Sequence, residues 1–438
     1  MKKIKNSFFV LGMVCLLTAC GGGTASSNKQ PVVTSPIELI DPEDTSMLTA
    51  NCKAYIDAMR EQEEDLEEPF KYNDLYELDS GGKFIEGSAV NIDEGSKADA
   101  DRLYLDTGDP EGKNQTRGKI PNRSDRNTGV DLSFNVEEGF ECDEYTVLLA
   151  DNEDFENAKE IKTSATTVNF NNLFVNHEYY WKVIADDEES AVGTFETEDY
   201  PRWISARPLY NVRDNGGYMT YSGKRVKQGL VFRGGEITTS TQSGHYNTIA
   251  DSSKEVFRNE MGIKVELDLR GPSDISDGYN QNAFAENGDI EYQQYAIKSY
   301  EQTFTQTRSM IAPIFEILKE ADQKPVYYHC FGGADRTGTL GFLLNGVLGV
   351  SYTDLVIDFE LTSYSSIDNE HIRSHIPGYQ HAYDRWPALI NQLKTDKTGG
   401  YAWDDDALLM DNINNYLVKA CNVPQSTIDT IRDIMLED

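Results

Sequence analysis

Residues 324–344 read KPVYYHCFGGADRTGTLGFLL, and they decide how the larger half of this chain folds. Residues 326–328 are β-branched or aromatic and few in number, which is typical of a short buried strand. The apolar run from Thr339 to Leu344 favours a helix. The residues between, 329–338, are therefore predicted to form a loop that joins the end of a strand to the start of a helix.

This loop has the properties of an anion site. The amino terminus of a helix presents unpaired N–H groups and a partial positive charge, which together bind phosphate. Gly332 and Gly333 let the backbone curl so that successive N–H groups converge on one anion. Arg336 adds a planar guanidinium that can bind two phosphate oxygens at once. The loop is thus a predicted phosphate site.

Cys330 is the candidate nucleophile within the loop. A helix amino terminus and a nearby guanidinium favour the thiolate form of a cysteine, which is the form that attacks phosphorus. The predicted reaction has two steps, because Cys330 first takes the phosphoryl group and water then hydrolyses the thiophosphate. Arg336 and the loop amides would stabilise the equatorial oxygens of the transition state.

The motif Cys-x5-Arg, with His329 before it and Thr337-Gly338 after it, resembles the signature loop of cysteine-dependent protein-tyrosine phosphatases. The segments 211–214, 229–236 and 262–270 follow the order seen in the atypical secreted bacterial members, some of which also accept phosphoinositides. The resemblance implies an α/β domain over residues 200–438 with a central sheet flanked by helices. It also implies a phosphorylated protein or a small phosphomonoester as substrate, with no cofactor and no metal. The loop residues expected to bind the substrate are Phe331, Gly332, Gly333, Ala334, Thr337 and Gly338.

The chain departs from the family pattern at two places. Ala334 stands where the family usually has a lysine that would attract polyanionic lipid headgroups, so its absence disfavours a lipid substrate. No aspartate follows the stretch 290–296, where relatives carry one, and the nearest acid is Glu301. A positioned acid that protonates the leaving group contributes ~10²–10⁴-fold to the rate. Asp335 is the first candidate, Glu301 the second, and Asp274 or Asp277 the third.

The front half of the chain follows a different pattern. Residues 121–199 contain stretches that alternate between apolar and polar, such as 130–136 and 145–149, and this period of two predicts a small all-β sandwich. The run Tyr179–Ala185, followed by Gly193–Thr197, resembles a fibronectin type III domain, which implies a spacer role. Residues 46–120 form an acidic segment that has no assigned fold.

The first residues form a targeting segment. A basic start precedes the short apolar run Phe8–Leu17. The sequence LTAC at residues 17–20 resembles the lipobox of bacterial lipoproteins, which implies that 1–19 is a signal peptide and that Cys20 is lipidated. An ordinary signal peptide that happens to contain Cys20 is the alternative. Residues 20–45 are predicted to form a flexible tether, and the protein is expected on the periplasmic or cell-surface face of a membrane.

Charge restricts the partners. Lys and Arg total 40 against 74 Asp and Glu, a formal net charge of −34. Nucleic acid is excluded as the main partner because phosphate contacts need clustered basic residues. Anionic lipid is disfavoured as well, so membrane attachment is expected through the lipid anchor only. The negative charge also repels molecules that carry many phosphates, which favours phosphotyrosine peptides or aryl phosphates over inositol polyphosphates as substrates.

Two alternatives remain from the sequence. The enzyme could act mainly on phosphoinositides or inositol phosphates, or the chain could be a catalytically silent lipoprotein that binds phosphate. Cysteine pairing is open too, since any two of Cys52, Cys142 and Cys421 could form a disulfide.

Overall fold

The computed structural model describes residues 35–49, 52–53, 56–57, 60, 128–206, 209, 211–237, 250–272, 288, 290–364 and 385–437. The signal segment, Cys20 and most of the acidic segment 46–120 lie outside the described residues. The described part of 46–120 is helical at residues 52–53, 56–57 and 60. No helix in the described ranges is long and apolar enough to cross a bilayer.

The front module consists of antiparallel strands in two sheets. The strands are β1 (Ile37–Ile40), β2 (Val130–Val136), β3 (Tyr145–Ala150), β4 (Lys159–Thr163), β5 (Thr167–Phe170), β6 (Glu178–Ala185), β7 (Glu188–Glu189) and β8 (Gly193–Glu196). One sheet has the order β1-β2-β5, and the other has the order β4-β3-β6-β7 with β8 on β6. Alternate side chains of both sheets, including Leu132, Val147 and Trp181, meet in one apolar core. The alternation in sequence therefore corresponds to one buried and one exposed face per strand.

Strand β1 corrects the prediction of a flexible tether over residues 20–45 at Ile37–Ile40, whereas residues 20–34 lie outside the described residues. Ile37–Ile40 pairs antiparallel with β2, and Ile37 is buried in the front core. A short strand with no strong pattern of its own gains its hydrogen bonds from the neighbouring strand, which the local sequence does not reveal. The likeness of this module to a fibronectin type III domain stays a prediction.

The second module has a central sheet in the order β12-β11-β13-β10-β9. Its strands are β9 (Arg213–Asp214), β10 (Val231–Gly234), β11 (Val265–Asp268), β12 (Glu291–Gln294) and β13 (Val326–His329). All neighbours run parallel except β9, which is antiparallel to β10. Strand β13 thus lies between β10 and β11, so its carboxyl end is at the middle of the sheet.

Both faces of this sheet are covered. Val326 and Tyr328 of β13 belong to one core, and Tyr327 between them belongs to a second core with Phe257. The helices are α1 (Asp251–Glu255), α2 (Glu301–Gln306), α3 (Ile311–Leu318), α4 (Asp335–Leu348), α5 (Tyr352–Glu360), α6 (Arg385–Thr395), α7 (Leu409–Lys419) and α8 (Gln425–Met435). A π-helical turn covers Val256–Glu260, and 3₁₀ turns cover Arg308–Met310, Leu361–Tyr364 and Thr398–Gly400. The predicted α/β domain with a sheet flanked by helices is confirmed.

The two modules are joined by buried polar contacts. The guanidinium of Arg202 pairs with Asp214 at 2.8 Å and donates to the carbonyls of Leu173 and Asn172, both at 2.9 Å. The side-chain amide of Gln228 also makes two hydrogen bonds with the backbone of Val175, both at 2.9 Å. The front module therefore packs directly on the phosphate-site module.

Candidate active site

The predicted loop lies between β13 and α4. Strand β13 ends at His329 and helix α4 begins at Asp335, so Cys330 follows the central strand directly. The side chain of Cys330 is buried, with 4% of its surface exposed. Ligands bind outside the carboxyl ends of strands in open α/β sheets, which is where this loop lies. The strand–loop–helix prediction for residues 324–344 is confirmed.

The loop backbone is held from outside by consecutive hydrogen bonds. The amide of Glu236 donates to the carbonyl of Phe331 at 2.8 Å. The side-chain amide of Asn211 donates to the carbonyl of Gly332 at 2.8 Å. Arg233 donates to the carbonyl of Gly333 at 3.1 Å. Each of these carbonyl oxygens thus faces a neighbouring element.

Gly333 is required by both conformation and space. Its φ is +64°, in the left-handed region that side chains rarely adopt. A Cβ at this position would lie 2.3 Å from the carbonyl carbon of Gly234 and 2.7 Å from the nitrogen of Gly235. The loop therefore packs against the backbone that follows β10, and only glycine fits there.

His329 connects the nucleophile to a buried acid. Its Nδ1 lies 3.1 Å from the carbonyl oxygen of Cys330, and its Nε2 lies 3.1 Å from Oε1 of Glu266. A carbonyl oxygen can only accept a hydrogen bond, so Nδ1 is the donor in the first contact, and Nε2 faces the carboxyl group of Glu266 in the second. Burial raises the pKa of Glu266, while the neighbouring His329 opposes the shift. In the described part of the chain, Oε2 of Glu266 has no hydrogen-bond partner.

Asp335 and Arg336 occupy the first turn of α4. The hydroxyl of Tyr300 donates to Oδ1 of Asp335, and the amide of Tyr300 donates to the hydroxyl of Thr339 at 3.0 Å. The guanidinium of Arg336 lies 5.8 Å from the ring centroid of Phe331. Cys330, Asp335 and Arg336 are therefore brought together in one loop and the first turn of the helix that follows it.

Comparison with known proteins assigns the family. The family model described as "Tyrosine phosphatase family" matches residues 204–437. The chain belongs to this family. Membership supports phosphatase activity, with a phosphorylated molecule as substrate.

A solved structure and the curated proteins were also compared. The core catalytic domain of the PP-IP phosphatase SIW14 from S. cerevisiae, in complex with citrate, matches with a TM-score of 0.27 and 15% sequence identity. The match covers 48% of this chain and 94% of that chain. No curated protein matches this chain.

The remaining residues of the family loop are nearly all buried. Gly332, Ala334, Thr337 and Gly338 have little exposed surface, and Phe331 is half-buried. Among the described residues, the hydroxyl of Thr337 has no hydrogen-bond partner. Ala334 precedes α4 and contributes no side-chain cap to it, since its methyl group cannot accept a hydrogen bond. These residues thus add no charged side chain to the one that Arg336 offers to a small anion.

The alternative acids have different positions. Glu301 is the first residue of α2, and its Oε2 is buried without a hydrogen-bond partner in the described ranges. Asp274 and Asp277 lie outside the described residues. Asp335 lies beside Arg336 in the first turn of α4.

Buried carboxylates around the site were missed by the sequence analysis. Asp358 of α5 pairs with Arg233, and its Oδ1 lies 3.4 Å from Nε of Arg213. Arg270 pairs with Glu236 at 2.6 Å and with Asp268 at 2.7 Å. The signal in the sequence was Arg233 in the otherwise apolar strand β10, because a buried guanidinium needs a buried acid.

Burial and pairing shift several of these groups. Burial, and then the neighbouring Arg233, lower the pKa of Arg213 to about 10. Burial tends to raise the pKa of Asp268, but His329 and Arg270 hold it below its ordinary value. Asp214 and Arg233 are both buried in ion pairs.

None of the four cysteines of the described residues forms a disulfide. Cys52, Cys330 and Cys421 are buried, and Cys142 is partly exposed. Burial raises the pKa of the Cys421 thiol to about 12, which keeps it protonated. In the described ranges no group of three His, Cys, Asp or Glu side chains is close enough to hold a metal ion.

Proposed function

We propose that this family member is a protein-tyrosine phosphatase that acts through a cysteinyl-phosphate intermediate. The observation that supports this most directly is the loop itself, which starts with Cys330 at the end of the central strand and continues into the helix that carries Arg336. The carbonyls of Phe331, Gly332 and Gly333 are held by neighbouring elements, so the N–H groups of the residues that follow them point away from those elements. This is the arrangement that stabilises charge developing on a phosphoryl group in transfer.

The proposed reaction has two balanced steps. The thiolate of Cys330 attacks phosphorus, a sulfur–phosphorus bond forms, and the bond from phosphorus to the tyrosine oxygen breaks. Asp335 gives its proton to that leaving oxygen. In the second step water attacks phosphorus, Asp335 accepts a proton from the water, and the sulfur–phosphorus bond breaks to release inorganic phosphate and the thiolate.

The charges around the loop support a substrate with a single phosphate. Of the buried arginines near it, Arg213 and Arg233 share Asp358, and Arg270 lies between two acids. These guanidinium groups are thus matched by carboxylates instead of facing a second phosphate. Ala334 adds no charge, and the net charge of −34 repels polyanions. These features favour a phosphotyrosine side chain over an inositol polyphosphate.

A substrate panel tests this proposal. We expect kcat/KM for a phosphotyrosine peptide to exceed that for a phosphoinositide or inositol hexakisphosphate by at least ~10-fold, which corresponds to about 1.4 kcal/mol. The Ala334→Lys variant, which restores the residue usual in the family, should narrow this difference. The reverse ranking in the parent would assign the enzyme to inositol phosphates or phosphoinositides. Phosphate binding without turnover of any substrate would identify a silent phosphate-binding protein.

Asp335→Asn tests the identity of the general acid. We expect kcat for a phosphotyrosine peptide to fall by ~10²–10⁴-fold, because the tyrosine oxygen with its ordinary pKa of about 10 leaves poorly without a proton. The loss should be much smaller for nitrophenyl phosphate, whose leaving group is stable as an anion. Glu301→Gln, Asp274→Asn and Asp277→Asn are the matched controls. If one of them shows this dependence on leaving group and Asp335→Asn does not, that residue is the acid.

We also propose that Cys20 is lipidated after removal of residues 1–19, so that the enzyme works outside the cytoplasm. Residues 121–199 would then act as a fibronectin type III-like spacer next to the catalytic domain. The sequence LTAC and the basic start support the anchor. Cys20→Ser should abolish incorporation of labelled palmitate and release the protein from the membrane fraction, whereas Cys52→Ser should change neither. Unchanged labelling of Cys20→Ser would rule out this anchor.

A further inference from the structure

Two side chains from outside the loop bond to its consecutive glycine carbonyls. Asn211 precedes β9, and its side-chain amide donates to Gly332 at 2.8 Å. Arg233 of β10 donates to Gly333 at 3.1 Å. Both side chains are buried, with 2% and 0% of their surface exposed. Their hydrogen bonds are therefore shielded from competition with water.

These bonds determine where the next amides point. In a planar trans peptide the C=O of one residue and the N–H of the next point in opposite directions. With the carbonyls of Gly332 and Gly333 facing Asn211 and Arg233, the N–H groups of Gly333 and Ala334 face the other way. Successive N–H groups on one side of a loop form a nest for an anion.

Asp358 connects the two donors. Its carboxylate accepts a hydrogen bond from Arg233, and its backbone carbonyl accepts one from Arg213 at 2.9 Å. Arg213 in turn donates to the side-chain oxygen of Asn211. The oxygen of the Asn211 amide is thereby occupied, which directs its N–H₂ group to the loop. One buried network thus orients both donors.

We propose that Asn211 and Arg233 are positioning residues that preorganise the phosphate site, with Asp358 as their common anchor. They touch neither the substrate nor the reacting atoms, and they act through the orientation of the loop amides. Donors that are fixed before the reaction stabilise developing charge without the cost of reorganising them. The inference rests on the proposed function, because it assumes that the loop binds the phosphate of the substrate.

Arg233→Lys tests the role of the guanidinium. Lysine keeps a positive charge for Asp358, but its single ammonium lacks the fork that reaches the acid and the carbonyl together. The matched control is Arg202→Lys. Arg202 is likewise buried, pairs with an acid and donates to backbone carbonyls, but these partners are Asp214, Leu173 and Asn172 and not residues of the loop. Inorganic phosphate is titrated by calorimetry in a Cys330→Ser background, and melting temperatures are recorded for all variants.

We expect phosphate to bind at least ~10-fold more weakly to Arg233→Lys than to the parent, because donors fixed in place contribute strongly to the binding of an anion. The affinity of Arg202→Lys for phosphate should stay within about twofold of that of the parent. When Arg233→Lys is made in the enzyme that retains Cys330, kcat for nitrophenyl phosphate should fall and KM should rise. Parent-like binding by a folded Arg233→Lys would overturn the inference alone. Absence of phosphate binding in the parent would overturn the proposed function and the inference with it.

Asn211→Gly gives a second test that does not depend on the arginine. Asn211 has φ +57° and Asn172 has φ +62°, so glycine fits the backbone at both positions. Asn172 also donates to a backbone carbonyl, that of Ser205 at 3.3 Å, which makes Asn172→Gly the matched control. Phosphate affinity should fall at least ~10-fold for Asn211→Gly only. If Arg233→Lys does not fold, equal affinities in the two glycine variants overturn the inference.

Discussion

Cys330→Ser is expected to lower turnover of an aryl phosphate by at least ~10³-fold, as loss of a covalent nucleophile does in other enzymes. Serine is close to cysteine in size, and its hydroxyl does not ionise at neutral pH. The backbone contacts of Phe331, Gly332 and Gly333 to their neighbours do not involve the thiol. Inorganic phosphate should therefore still bind, and the melting temperature should change little.

The control for this experiment is Cys421→Ser. Cys421 is buried and free like Cys330, but it lies after α7, where burial raises its pKa to about 12. This variant should retain full turnover even if its stability falls. Acid quenching of the parent during turnover should trap a covalent phosphate on Cys330. Turnover in Cys330→Ser at the parental rate would show that the thiol is not the nucleophile and would refute the proposed mechanism.

Gly333→Ala is expected to lower kcat/KM by at least ~10²-fold, because a displacement of about 1 Å in a catalytic loop has that effect. The added Cβ would lie 2.3 Å from the carbonyl carbon of Gly234, and its three nearest atoms are all backbone, so no side chain can move aside. The loop must then move away from β10. That movement would break the bond from Arg233 to the Gly333 carbonyl. The expected decrease in kcat/KM therefore has two causes, which are backbone strain at residue 333 and displacement of the loop amides that would bind phosphate.

Gly262→Ala separates strain from steric contact. Gly262 also has φ +64°, but no atom lies within 4 Å of the position that its Cβ would take. Alanine there carries the same left-handed backbone penalty of about 1–2 kcal/mol and nothing more. We expect lower thermal stability with unchanged kcat/KM for Gly262→Ala, and a loss of both for Gly333→Ala. Equal kinetics in the two variants would show that close packing on Gly234 is not needed for activity.

The loop between β13 and α4 could be predicted because its information is local. Cys330, Arg336 and the two glycines lie within seven consecutive residues, and the pattern on each side specifies a strand and a helix. Such a unit forms from neighbours in the chain, so residue types and spacing were sufficient. The alternation of residues 130–136 likewise corresponds to a strand with one buried face.

The supports of the loop could not be predicted in the same way. Asn211 and the carbonyl that it bonds are 121 residues apart, and Arg233 and Asp358 are 125 residues apart. Nothing in the local sequence of α5 distinguishes Asp358 from an exposed acid in a chain with 74 of them. The same is true of Asp214, which is paired with Arg202 in the interior of the protein.

Strand β1 and the candidate acid Asp335 illustrate the same limit. Ile37–Ile40 becomes a strand only because β2 offers an edge to pair with. Asp335 is one acid among several by sequence, and it is distinguished by its place in the first turn of α4 beside Tyr300. A function that depends on residues adjacent in the chain can thus be predicted from their order. Which buried charges meet, and which backbone groups they orient, depends on contacts between distant segments that form only when the sheet and helices pack together.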